Sequence, residues 1–162
     1  MKLFGRSGDR SATATDKSPI DRLIRENGWT PDVRHGHAFA LAFKGDAITP
    51  SRDVYIAHTP GNAIATFSCG CRARFLASSM SPVQLALLLA RNKDALFGKW
   101  QIIVEDGEVS AEVFYPALAG GLTAPVFKAI CGSLLSEVAF VEESMLGGAS
   151  PDDVPVPSSE PV

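Results

Sequence analysis

The sequence predicts an α+β domain ordered α-β-β-β-α-β-β-α, with helices packed on an antiparallel five-stranded sheet. Three observations predict it. Segments with apolar residues three or four positions apart stand at the start, middle and end of the chain. Segments that alternate two by two fill the gaps between them. Short turn sequences, Pro60-Gly61-Asn62 and Asp106-Gly107, join alternating segments tightly enough to make them antiparallel hairpins.

The first helix opens at Ser18-Pro19, a cap followed by proline at the first helical position. Ile20, Leu23 and Ile24 form its apolar face and Gly28 stops it. Val33 to Phe43 reads as one strand whose bulky face is Val33, His35, His37, Phe39, Leu41 and Phe43. Gly45-Asp46 and Thr49-Pro50 turn the chain into a second strand, Asp53 to Thr59. The third strand, Ala63 to about Phe75, alternates cleanly, with Ala65, Phe67, Cys69, Cys71, Ala73 and Phe75 on one face.

Ser81-Pro82 repeats the cap signal and begins a central helix reaching about Leu96. Trp100, Ile102 and Val104 alternate before Asp106-Gly107, and Val109, Ala111, Val113 and Tyr115 after it. Thr123 caps the last helix, with Pro125 in its first turn. Phe127, Ile130, Leu134, Val138, Val141 and Met145 mark that helix's buried face. Residues 1–17 and the proline-rich residues 147–162 have too few bulky side chains to offset ordering entropy, and read as disordered tails around a domain at 18–146.

The chain has 162 residues, enough for one domain with a real core. Its formal net charge of −3, with no clustered basic surface, argues against nucleic acid as a partner. No stretch reads as a signal peptide or a membrane span. Three cysteines, an odd number, fit reduced thiols in the cytoplasm better than a disulfide framework.

The tempting chemical site is a zinc cluster of His35, His37, Cys69 and Cys71, since residues i and i+2 on a strand share a face. Pairing Thr59 with Ala63 and His37 with about Thr59 places Cys69 some six residues beyond the histidines. That is on the order of 20 Å at ~3.3 Å per residue, far beyond ligation. In the same register His58 faces away from His37. The expected metal is none. Cys69, Cys71 and Cys131 lie in apolar settings without a base, so no nucleophile is predicted. Glu105-Asp106 sits in a turn and Glu142-Glu143 on a helix surface, neither paired for acid–base work. Gly120-Gly121 lacks the lysine and spacing of a phosphate loop. No catalytic residue and no cofactor is expected.

The central helix is the informative oddity. Leu85, Leu88, Leu89 and Leu96 give a stripe for the sheet, while Val83, Leu87 and Ala90 extend the apolar arc to a second side. A helix apolar on two sides is buried on two sides, and a two-fold homodimer is the commonest means. Val83, Leu87, Ala90 and Trp100 are the candidate self-association and protein-binding residues.

The run Leu88-Leu89-Ala90-Arg91-Asn92, then Gly98-Lys99-Trp100-Gln101-Ile102, Asp106-Gly107-Glu108-Val109 and Leu122-Thr123 before a long helix resembles the YbjN-like family. That family shares the fold of type III secretion chaperones of the Tir-chaperone type. The resemblance covers roughly residues 18–146, and in the first half is one of topology. It implies a dimeric, non-enzymatic protein that holds or modulates another protein, some members being assigned as sensory-transduction regulators. In secretion chaperones the central helix and the strand after it often build the dimer. The chain is less acidic than secretion chaperones usually are.

The expected function is therefore a non-enzymatic chaperone-like or adaptor domain that binds an unidentified polypeptide as a homodimer. Two other readings stay open: a small-molecule or metal-sensing regulator using the His35/His37 face, and a structural subunit of a larger assembly.

Overall fold

The structure is a computed structural model and describes residues 18–35, 38–45, 51–59, 61–76 and 81–144. Its elements are α1 (Pro19–Glu26), β1 (Val33–His35), β2 (Ala38–Phe43), β3 (Arg52–Ala57) and β4 (Ile64–Leu76), then α2 (Pro82–Ala90), β5 (Lys99–Glu105), β6 (Glu108–Leu118) and α3 (Ala124–Ser144). The strands form one sheet in the order β1-β2-β3-β4-β6-β5, antiparallel at every step. The five expected strands are present, and the short β1 extends the sheet at one edge. Both predicted tails, Met145, His37 and the Asp46 to Pro50 turn lie outside the described residues.

α1 begins as its sequence dictates. The Ser18 hydroxyl accepts from the Ile20 amide at 3.2 Å, and Gly28 leaves the helix at φ 70°, a conformation that a Cβ disfavours. Asn27 Nδ2 donates to the Leu23 carbonyl at 2.9 Å and to the Ala124 carbonyl at 3.3 Å, tying α1 to the start of α3.

The predicted Val33–Phe43 strand is instead a hairpin, with Val33 opposite Ala40 and His35 opposite Ala38. A two-residue reversal preserves the alternation, so period alone does not reveal it. The reversal does exchange faces: His35 shares a face with Ala38, not with Phe39, and lies exposed. Register corrects a second expectation. Ile56, not Tyr55, stands opposite Phe67, one residue from the assumed frame. This slip turns Val54, Ile56 and His58 inward and leaves Tyr55 exposed. His58, expected to face away, is buried. Its Nε2 donates to the Asn62 carbonyl at 3.0 Å, and Nδ1 is 3.0 Å from the Ser18 hydroxyl.

The core lies on one face of the sheet, beneath α1 and α3. Phe39 and Leu41, Val54 and Ile56, Ala65, Phe67 and Cys69, and Ala111 and Val113 supply it from successive strands. Phe127, Ile130, Leu134, Val138 and Val141 of α3 are all fully buried against them, as their spacing predicts. Phe67 meets Phe127 edge-on with centroids 5.4 Å apart, and Trp29 bridges Phe127 and Phe43. Over Ala124–Glu143, α3 has the length and apolar composition of a membrane-crossing helix, although no stretch was expected to read as a span. Its buried face makes it the core helix here. The β5–β6 turn uses Asp106 at φ 51° and Gly107 at φ 82°, the left-handed pair a two-residue hairpin needs.

Gly98 fixes the entry into β5. Its φ is 91°, and a Cβ there would stand 2.5 Å from Val113 Cγ2 and 2.8 Å from Leu134 Cδ2. Gly98→Ala should therefore cost roughly 2–4 kcal/mol, from backbone strain and overpacking together. Urea unfolding measures this directly; an unchanged midpoint would contradict the close approach.

Candidate functional site

α2 is built by its own sequence and held by distant partners. The Ser81 hydroxyl accepts from the Gln84 amide at 3.2 Å, and Gln84 Oε1 accepts from the Ser81 amide at 3.0 Å, a complete capping box before Pro82. The helix ends at Ala90, short of the predicted Leu96, and passes into a 3-10 turn at Arg91–Lys93. Of its own side chains only Leu88 is fully buried.

The turn after α2 carries the anchoring. Arg91 Nε and Nη2 donate to the two carboxylate oxygens of Glu137 on α3, at 3.0 and 2.9 Å. The Arg91 guanidinium also lies 4.4 Å over the Phe140 ring. Trp100 Nε1 donates to Glu137 Oε1 at 3.1 Å. Next to it, Asn92 Oδ1 accepts from the Trp100 amide at 2.5 Å and its Nδ2 donates to the Trp100 carbonyl at 3.2 Å. Asn92 thus pairs with the start of β5 as a neighbouring strand would. Glu137 joins the end of α2, the start of β5 and the middle of α3 in one carboxylate. Burial would push its carboxyl up, but the hydrogen bonds from Arg91 and Trp100 and the Arg91 charge hold it below the usual range.

This anchoring leaves most of α2 uncovered. Val83 is 67% exposed and Leu87 54%, with Ala86 and Ala90 exposed beside them. Positions 83, 87 and 90 fall on one side of the helix, opposite Leu88. Two expectations need correction. The predicted buried stripe of Leu85, Leu88, Leu89 and Leu96 is buried only at Leu88: Leu85 is half-buried, and Leu89 and Leu96 are exposed. The helix ends at Ala90, so Leu96 lies beyond it, and Leu88 is the side chain it buries in the core. Trp100, expected at the surface with Val83, Leu87 and Ala90, is 3% exposed, because its indole turns inward to Glu137. The structure brings Val83, Leu87 and Ala90 together and takes Trp100 away. Leu89, expected in the buried stripe, is exposed as well, on a different side of the helix.

Cys69 and Cys131 are buried and Cys71 half-buried, and burial pushes all three thiols up to about 12, which leaves them poor nucleophiles. Among the described residues no three His, Cys, Asp or Glu side chains come together as a metal site.

No protein-family model matches the chain, and no curated protein matches it. Solved structures do. YbjN, a proposed transcription regulator from E. coli, superposes with a TM-score of 0.56 at 15% identity, over 76% of this chain and 89% of its own. A chain of the HopA1–SchA chaperone–effector complex gives 0.54 at 15%, over 79% and 93%. A chain of the ExsC–ExsE complex gives 0.54 at 14%, over 82% and 97%. The chain therefore has the YbjN and secretion-chaperone-like fold that its element order suggested.

Glu137→Gln should cost on the order of 2 kcal/mol at neutral pH, since it weakens charge-assisted bonds in a mostly buried setting. With its carboxyl lowered by folding, Glu137 contributes fully above its unfolded value of about 4.3. The contribution fades as pH falls through the lower folded value. The gap between wild type and Glu137→Gln in urea melts should shrink below about pH 4. A gap that stays constant to pH 2 would rule the ion pair out as its source.

Proposed function

We propose that this protein is a non-enzymatic, chaperone-like or adaptor protein that binds another polypeptide and works as a homodimer through α2. The observation that carries this reading is the uncovered apolar side of α2. Val83, Ala86, Leu87 and Ala90 face solvent on a helix whose only polar side chain between Pro82 and Ala90 is Gln84. A contiguous apolar face on an anchored helix costs solubility unless another surface covers it. A second copy covers it with the same residues, as a two-fold interface requires.

The shared fold supports the wider reading. One of the similar structures is a chaperone–effector complex and another is a two-protein complex, so this architecture presents surfaces to a second chain. The three high-lying thiols add nothing that reacts. Binding of a polypeptide needs apolar surface and main-chain partners, which an anchored apolar helix beside the open edge of β5 offers.

Leu87→Asp tests the interface. Substitution at an exposed helix position should leave stability within about 0.5 kcal/mol. A charge facing its own copy should shift the sedimenting species from dimer to monomer. An unchanged mass would remove α2 from the interface. For the client, quantitative mass spectrometry of material purified from its own cells should find one polypeptide near stoichiometric amount. Finding none at that level would count against the chaperone-like reading.

A further inference from the structure

Away from α2, a cavity of about 330 Å³ opens between the end of β2, the start of β3 and the middle of α3. Phe43, Leu135 and Ala139 make its apolar walls, with Lys44 and Ser136 exposed at its mouth. Arg52 also lines it, and Arg52 is the unusual member: an arginine only 8% exposed, on the core face of the sheet.

Its hydrogen bonding is incomplete. Nη1 lies 2.6 Å from Glu142 Oε2, an ion pair by distance, yet its N–H is not directed at that oxygen. Nε has no partner among the described residues and is closed to solvent, so an acceptor in the cavity reaches it through a turn of the side chain. Glu142 cannot swing over to satisfy it, because its Oε1 accepts from the Arg72 amide at 2.6 Å. Arg72 in turn donates its own guanidinium to the Ser51 carbonyl. Around this end of the sheet the described charges include Arg52, Arg72 and Lys44 against Glu142 and Asp53, the last on the exposed face of β3. A buried donor without a partner costs about 1–3 kcal/mol, which favours whatever supplies an acceptor.

We infer that this cavity binds a small carboxylate with an apolar tail, its head on Arg52 and its tail against Phe43, Leu135 and Ala139. A guanidinium edge matches the planar geometry of a carboxylate. Glu142 and Asp53 together offset two of the three positive charges, so a monoanion fits better than a dianion. The volume lies at the lower end of small-molecule sites, about 300–1,000 Å³. This site is separate from the α2 surface and does not depend on how that surface is used.

Titration of the full chain with sodium octanoate, followed by amide chemical shifts and calorimetry, tests the assignment. Saturable binding is expected, with the largest shifts at Leu135, Ser136 and Ala139. The uncharged 1-octanol should bind at least tenfold more weakly. Arg52→Gln should erase that preference. Because Arg52 also partners Glu142 and its loss can impair folding, Ala139→Phe provides an independent arm. It fills the cavity from α3 and should weaken octanoate at least tenfold while the circular dichroism stays native. No saturable binding, equal affinity for octanol, or undiminished binding to Ala139→Phe would each overturn the inference.

Discussion

One carboxylate, Glu137, sets where the second half of the chain goes. It takes both nitrogens of the Arg91 fork and the Trp100 indole, and so joins three elements that are far apart in sequence. α2 has few contacts of its own with the sheet and only Leu88 fully buried, so hydrophobic burial alone would hold it weakly. A part-buried, charge-assisted junction is stronger than an ordinary hydrogen bond and directional as well. It fixes the helix while leaving the helix's far side free.

Asn92 completes the junction in a different way. By pairing its side-chain amide with both backbone groups of Trp100, it covers the outer edge of β5 where the strand begins, opposite the edge that pairs with β6. The left-handed backbone of Gly98 then permits the close approach of Val113 and Leu134. These three residues account for the helix–Asn–Gly–Trp spacing in the sequence: each answers a local geometric demand of the same corner. An apolar helix held by polar anchors is well suited to meeting another protein, since the anchors keep its apolar side from folding onto its own core.

The far end of the molecule repeats the theme of buried charge with less closure. Arg52 of β3 and Glu142 of α3 face each other, but Glu142 is also claimed by a backbone amide, and the Arg52 guanidinium is left with a buried donor unpaired. Where Glu137 is saturated by its partners, Arg52 is not. That difference separates a structural ion pair from one with capacity to bind.

Much of the architecture was legible in the residues themselves. Proline-preceded caps at Ser18 and Ser81, the Asp106-Gly107 turn, the alternation through Phe67 and Cys69 and the α3 face from Phe127 to Val141 are local signals, and local backbone physics determines them. What only the tertiary structure decided is facing and coverage. A two-residue reversal at the middle of Val33–Phe43 leaves the period intact, and a one-residue slip between β3 and β4 turned His58 in and Tyr55 out. Of the candidate surface, Val83, Leu87 and Ala90 were legible because a helix apolar on all sides must leave one side over; Trp100 was not, because its side depends on Glu137, 37 residues away. The sequence carries periodicity, which names the faces. Long-range polar contacts and strand register, absent from any local window, choose which face looks inward.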